Sequence, residues 1–273
     1  MNTHRQYPTD LTQAQWQLLL LLLPKGKWRQ GGPGRPASDL RKIINGILYL
    51  TRSGCQWRML PKTFGCWQTV YGYFNRWRKQ KIWQRIYRCL LNQERARQGR
   101  KKDASAGCLD SQSIKSATHG KSKGFDAGKK VNGRKRHLLV DTLGLPITVF
   151  VSPADCTDQK GAVRLLNRYF KSGRTRLRKL WVDGGYRGDG LRSWVQGLKG
   201  SYKIDLETVT QDASAKGFQV VKRRWVVERT FAWLLNFRRH SKDYERLTKS
   251  SEAFIYIAMS YLLIKRLAQK SEF

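Results

Sequence analysis

Negative charge is what this sequence has least of. Its 273 residues carry 19 Asp and Glu against 54 Lys and Arg, a formal net charge of +35 with His neutral. That balance favours polyanions as partners, because each phosphate neutralised releases condensed counterions, and its plain reading is a basic protein of the ribosomal type. Histidine is scarce as well: there are four, none paired at metal-ligand spacing, which argues against a zinc centre. The five cysteines (Cys55, Cys66, Cys89, Cys108, Cys156) are odd in number and contain no CxxC pair. Neither a disulfide framework nor a zinc site is indicated, and reduced thiols are expected. No apolar run approaches the roughly 20 residues of a membrane span; Leu18–Leu23 is stopped by Pro24. The opening MNTHRQYPTD has no apolar segment of the secretory kind, so no membrane association and a cytoplasmic, nucleoid-associated location are expected.

What is present begins with 40% apolar residues, ample for a packed core. Thr12 followed by Gln15 has the form of a capping box, and Trp16, Leu19, Leu20 and Leu23 recur at helical spacing. GKWRQGGPGRPAS reads as an extended, mobile basic loop. Ser38 is placed to cap a second helix whose Leu40, Ile43, Ile44, Ile47 and Leu48 share a face, with Gly54 just beyond its end. WQTVYGYFNRWRK turns Val70, Phe74 and Trp77 inward and Gln68, Tyr71, Asn75, Arg78 and Lys79 outward; Arg76, Arg78 and Lys79 are its DNA-binding candidates. Ile82, Trp83, Ile86, Tyr87, Leu90 and Leu91 mark a further helix. Helix, turn, helix with a basic outer face on the last element is the general pattern of a major-groove reader. The expected organisation is a helical DNA-binding domain at 1–92, a basic linker at 93–105 and a catalytic domain at 106–273 that includes a final helix bearing Ile255, Ile257, Met259, Leu262 and Leu263.

Beyond residue 105 the pattern turns to short strands. Ala106–Ser111 is a strand carrying Asp110, and His137–Val140 and Ile147–Val151 form a hairpin around DTLGLP. Asp158 stands at the start of a helix with Ala162, Leu165, Leu166, Tyr169 and Phe170 inward. Lys179–Val182 delivers Asp183 at its carboxyl end, followed by a Gly-Gly turn; Leu191, Trp194, Val195 and Leu198 mark a helix, and Tyr202, Ile204 and Leu206 a half-exposed strand. A last stripe, Val227, Phe231 and Leu234, belongs to a helix bearing Glu228. A three-strand meander followed by helix, strand, helix, strand and helix fits an α/β fold with an RNase H-like mixed sheet, preceded by an all-helical, helix-turn-helix-like domain.

In a chain this basic, carboxylates beside apolar strand residues repel the phosphates they meet unless a divalent cation lies between. Asp110, Asp183 and Glu228 are the candidate ligands for two such ions, which would activate one oxygen and stabilise another in phosphoryl transfer. Arg224, one turn before Glu228, is placed to meet a phosphate or to hold that carboxylate. Each acid also has a plain reading: Asp110 as a turn cap, Asp183 as an Asp-Gly turn, Glu228 as an ion pair with Arg224 or Arg229. Asp141, Asp155 and Asp158 read as turn and cap residues. The run SIKSATHGKSKGFDAGKKVNGRKRH, with Lys129, Lys130, Arg134 and Lys135, reads as a phosphate-gripping loop, and Trp57, Trp225 and Trp233 are stacking candidates.

GFDAGKKVNGRKRHLLVDTLGLP, WVDGGYRG, RRWVVERTFAWLLNFRRHSKDYE and SSEAFIYIAMSYLLIKRL, together with LTQAQWQLLLLLLP and GCQWRMLPKTFGCWQTVYGYFNRWRK, resemble bacterial insertion-sequence transposases of the DDE class, in the group named after insertion sequence five. The resemblance spans nearly the whole chain. It implies Asp110, Asp183 and Glu228 as catalytic triad and metal ligands, two Mg2+ ions with Mn2+ as substitute, double-stranded DNA (terminal inverted repeats and target) as partner, and a homodimer or higher assembly on DNA. The associated Tyr, Arg, Glu, Lys signature is kept only at Arg224 and Glu228; Val221 and Leu235 depart from it, leaving Arg238 and Arg239 as nearby cations. A catalytically silent DNA-binding regulator and a general RNase H-type nuclease are the competing readings.

Overall fold

The computed structural model describes residues 6–24, 38–117, 122–173, 176–198, 202–209 and 224–269. The GKWRQGGPGRPAS loop, apart from Ser38, and Val221 lie outside them. In chain order the elements are α1 (Gln13–Leu20), α2 (Leu40–Ser53), α3 (Trp67–Lys79), α4 (Ile82–Arg97), β1 (Ala106–Lys115), β2 (Gly124–Asp126), β3 (Val131–Asp141), β4 (Pro146–Pro153), α5 (Asp158–Lys171), β5 (Lys179–Val182), α6 (Asp189–Gly197), β6 (Asp205–Thr208), α7 (Trp225–Leu235) and α8 (Thr248–Ala268). They fall into two compact units, one of Met1–Arg97, Phe237–His240 and Ala253–Phe273, the other of Gln98–Asn236 and Ser241–Glu252.

The helical unit is built from locally encoded ends. Thr12 and Gln15 close the capping box reciprocally at 3.1 and 3.2 Å, and α1 stops at Leu20, whose side chain is left exposed. The cap of α2 is Asp39 rather than Ser38: its carboxylate accepts the amides of Arg41 and Lys42 at 2.9 and 3.2 Å, and a charged acceptor suits a helix N-terminus. Gly54 ends α2 in the left-handed region, φ 72°. Val70, Phe74 and Trp77 of α3 and the six expected residues of α4 are buried. Two expectations about boundaries are corrected. Residues 93–97 continue α4, where Glu94 is buried and ion-paired with Arg97 at 2.8 Å, and the linker reading missed this because charged residues hide a helical face. The last helix, from Ala253, belongs to this unit and not to the sheet: Phe254 stacks on Phe74 at 4.6 Å and Tyr256 tilts against Tyr87 at 5.5 Å.

The second unit is a six-stranded mixed sheet in the order β2-β3-β1-β5-β6, with β4 also paired to β3. The meander β1-β3-β4 is antiparallel, whereas β5 and β6 run parallel to β1. Central antiparallel partners on one side and two parallel strands on the other give the RNase H-like arrangement that the element order suggested. The core lies on one face, where Leu109, Leu139, Leu180 and Val182 meet Ala162, Leu165, Leu166 and Tyr169 of α5 and Leu191 and Val195 of α6. The other face carries α7, held by Arg229 donating to the Leu143 carbonyl at 2.9 Å and Thr230 to that of Gly144.

The strands β1 and β3 are longer than expected, and this changes the reading of the basic run. Arg134 is fully buried in β3, donating to Asp243 Oδ1 (3.2 Å), Ser251 Oγ (3.0 Å) and the carbonyls of Glu245 (2.8 Å) and Arg246 (2.9 Å). It is an internal anchor rather than a phosphate contact. Lys135, also buried, bridges Asp126 at 3.2 Å and Asp158 at 3.0 Å. Lys129 and Lys130 remain exposed in the β2–β3 turn.

Candidate active site

The parallel ladder decides which acids meet. Gly107 pairs with Leu180 and Cys108 with Trp181; the same offset carried two residues further sets Asp110 level with Asp183. Level residues of adjacent parallel strands share a face, and here it is the one carrying α7, since Leu109 and Val182 fill the opposite core. Asp183 follows the last residue of β5 and accepts the Gly185 amide at 2.9 Å, and Asp110 accepts that of Ser111 at 2.7 Å.

Their electrostatics follow from that placement. Burial pushes the Asp110 carboxyl up to about 6; the Ser111 amide opposes this, the Asp183 charge adds to it, and Arg224 and Lys129 pull the other way. Two carboxylates that repel one another in a half-dry setting are a fitting donor pair for a hard cation. Glu228 is not drawn in with them. It sits in the first turn of α7, half-exposed, and ion-pairs with Arg224 at 2.8 Å. Arg224 is thus the connecting group, its charge felt by Asp110 while its guanidinium holds Glu228. Among the described residues no three His, Cys, Asp or Glu lie close enough to hold a metal.

The sequence reading passed over what lies behind Asp110. Thr157 caps α5, its hydroxyl accepting the Lys160 amide, which leaves the Asp158 carboxylate free to accept from Ser111 Oγ at 2.6 Å. Burial alone would raise Asp158, yet Ser111 and Lys135 hold it below the usual carboxylate range. Tyr186 is buried, and burial together with the charges of Asp110, Asp158 and Asp183 pushes its hydroxyl well above the ordinary range. Its position three residues after Asp183 was the available signal. Of the other candidates, Arg76 and Lys79 are exposed on α3, and Arg78 is held by Asn75 at 2.7 Å. Arg239 is buried and donates to the Cys55 carbonyl at 2.9 Å, so it is no substitute phosphate ligand. Trp225 and Trp233 flank Arg229, at 4.3 and 4.6 Å from its guanidinium.

Residues 101–263 match the family described as transposase DDE domain, and residues 11–87 match one described as a candidate transposase of the IS4/5 family. The chain belongs to the transposase DDE domain family. Among curated relatives, the uncharacterised 16.2 kDa protein of insertion element IS402 from Burkholderia cepacia is 33% identical over 112 residues, 40% of this chain and 75% of that protein. A protein named as a candidate transposase for insertion sequence element IS402, from the same organism, is 30% identical over 129 residues, 45% of this chain and 59% of that one. A solved structure described as the Mos1 strand transfer complex aligns over 91% of this chain and 82% of its own with 14% identity and a TM-score of 0.23, too slight a likeness to bear on the fold. The protein is an insertion-sequence transposase of the DDE class, and its family implies a divalent metal cofactor, typically Mg2+.

Proposed function

We propose that this transposase, of the group named after insertion sequence five, binds the terminal inverted repeats of its own element, cleaves the DNA to leave a 3′-hydroxyl, and joins that hydroxyl to target DNA as a homodimer or higher assembly. The observation that carries the reading is that Asp110, two residues past the paired stretch of β1, and Asp183, one residue past the end of β5, come near enough for the Asp183 charge to push the Asp110 carboxyl up. These two carboxylates would hold the paired Mg2+ ions, or Mn2+ in their place, with Glu228 completing the donor set. When bound, the cations supply Lewis-acid stabilisation of the charge that develops in in-line phosphoryl transfer. An exposed pair such as Arg224–Glu228 contributes little stability, about 0–1 kcal/mol, so Glu228 can leave it at small cost. Arg224, once free, would take a non-bridging phosphate oxygen. Lys129, whose charge already reaches Asp110, would neutralise the backbone beside it. Arg76, Arg78 and Lys79 of α3 would engage the repeat through the helical unit.

The test is Asp183→Asn. Magnesium-dependent cleavage of DNA carrying the element's ends should fall by at least two orders of magnitude, roughly the loss expected for a group that stabilises transition-state charge, while binding to those ends is kept. Undiminished cleavage would refute the assignment. Binding without any metal-dependent cleavage by the unsubstituted protein would leave only the regulator reading.

A further inference from the structure

Two adjacent side chains at the start of α5 reach both of the segments that carry Asp110 and Asp183. Asp158 Oδ1 accepts from Ser111 Oγ of β1 at 2.6 Å and meets Lys135 Nζ at 3.0 Å. Ser111 directly follows Asp110, so this bond holds the strand beside that acid. Lys135 is fixed from its other side by Asp126 at 3.2 Å, whose carboxylate also accepts from Ser113. Asp158 Oδ2 faces the Gly184–Tyr186 turn that follows Asp183: a Cβ on Gly185 would stand 3.9 Å from it and 3.2 Å from Asp183 Oδ1. The next residue, Gln159, donates through Nε2 to the Arg187 carbonyl at 2.6 Å, where that turn ends. A Cβ on Gly190 would fall 2.7 Å from Gln159 Oε1, so the chain beyond Asp183 makes room for this side chain by carrying none of its own there. The mounting is firm, since Ala162, Leu165 and Leu166 of α5 are fully buried in the core of the sheet. Capping requires neither residue, because Thr157 caps the helix.

We propose that Asp158 and Gln159 form a brace that sets the separation of Asp110 and Asp183, and with it the affinity of that pair for a divalent cation. They are positioning residues, acting through Ser111 and through the backbone at Arg187. The inference rests on the reading that Asp110 and Asp183 hold the metal. Its physical basis is repulsion: the Asp183 charge disfavours the charged form of Asp110, and two such groups spread apart unless the framework holds them. A separation fixed in advance spares the cation the cost of drawing them together. Tyr186, buried in the turn after Asp183, feels the charges of Asp110, Asp158 and Asp183 together, which sets Asp158 beside both acids. Among the described residues no three acids lie close enough to hold a metal, which fits Asp158 as a support rather than a ligand.

The experiment titrates the full chain, without DNA, with Mn2+ and follows the free ion by electron paramagnetic resonance. Cleavage of DNA carrying the element's ends is then measured against Mn2+ concentration. Asp158→Asn keeps an oxygen for Ser111 and loses the charge on Lys135, whereas Gln159→Leu keeps the volume and loses the donor. Each should weaken Mn2+ binding about ten- to a hundredfold, the usual loss when a group behind a metal ligand is removed. The half-saturating Mn2+ for cleavage should rise by the same factor, while the rate at saturating Mn2+ returns to that of the wild type. Gln159 is partly exposed, so Gln159→Leu should melt as the wild type does and carries the test if Asp158→Asn folds poorly. A merely structural role would lower the active fraction and leave the Mn2+ affinity and the half-saturating concentration where they were; that result in both variants overturns the brace. A loss of rate that saturating Mn2+ does not restore overturns it too, by placing these residues in the chemistry itself. Failure of the proposed function reads differently: the unsubstituted chain would bind no Mn2+, or Asp183→Asn would cleave undiminished.

Discussion

His137 shows how far a single side chain can depart from its ordinary chemistry in this fold. It lies in β3 with no exposure, its Nε2 2.9 Å from Ser152 Oγ and its ring stacked on Phe150 at 5.5 Å. The α5 backbone approaches so closely that a Cβ on Gly161 would fall 2.0 Å from the imidazole Cε1. Burial pushes its pKa down to about 3; Asp158 pulls it up, while Lys135, Lys129 and Arg164 add to the depression. Above the unfolded value of about 6.5, folded and unfolded chains are both neutral at this site and it contributes nothing to pH dependence. As pH falls from there towards 3, the unfolded chain takes a proton that the folded chain refuses. Stability should then be lost at about 1.4 kcal/mol per pH unit. Asp110 acts in the opposite sense between the ordinary carboxylate value of 3.8 and about 6, where the folded chain keeps the extra proton. The wild-type curve alone would therefore mix the two. Comparing urea unfolding of wild type and His137→Gln at pH 7, 5.5 and 4.5, as chosen conditions on the order of one unit apart, isolates the imidazole: the wild type's advantage should shrink as pH falls. A constant gap would show that His137 is not held neutral.

At the scale of elements, β3 was the least legible part of the sequence and β5 the most. KLWVDGG displays an apolar strand, its end and a turn in seven consecutive letters, so Asp183 could be placed on a strand tip from local pattern alone. Asp110 was readable for the same reason, and their shared level followed only when the ladder fixed the register. The first half of β3 looks like loop, because Gly133, Arg134, Lys135 and Arg136 carry no apolar alternation. All four are buried, Arg134 meeting Asp243, which is distant in sequence, and Lys135 meeting Asp126 across the β2–β3 turn and Asp158, which reads as a cap. Periodicity reports burial of apolar groups and is silent about charges buried in pairs. Gly133 gives this segment its sharpest constraint. A Cβ there would stand 2.0 Å from the Ile114 carbonyl oxygen and 2.8 Å from the Ser116 nitrogen, both backbone atoms that cannot swing aside. Gly133→Ala should therefore cost about 3 kcal/mol or more, at or beyond the usual range for overpacking. Hydrogen exchange at the amides of residues 113–116 should accelerate with it, and unchanged protection there would mean that the β1–β3 ladder tolerates the methyl group.

Across the whole molecule, the expected division at 93–105 treated sequence order as spatial order. The charge run that suggested a linker is partly α4, and the last helix completes the helical unit. Its periodicity was plain, but an apolar helix does not say which core it fills. Phe254, Ile257, Met259 and Leu263 are each buried to 1% exposure or less. Full burial of a side chain of this size stabilises by about 1.5–3 kcal/mol, so the four together supply about 6–12 kcal/mol, comparable with the whole net stability of a domain, about 5–15 kcal/mol. A fragment of residues 1–97 should for that reason show no cooperative thermal transition, with Phe74 and Tyr87 left without the rings of Phe254 and Tyr256. Joining residues 237–273 to that fragment should restore a single transition, and with it protection of Trp77 and Trp83, both buried in the intact chain, from an aqueous fluorescence quencher. Cooperative melting of residues 1–97 alone would instead place the stability of the helical unit within α1–α4.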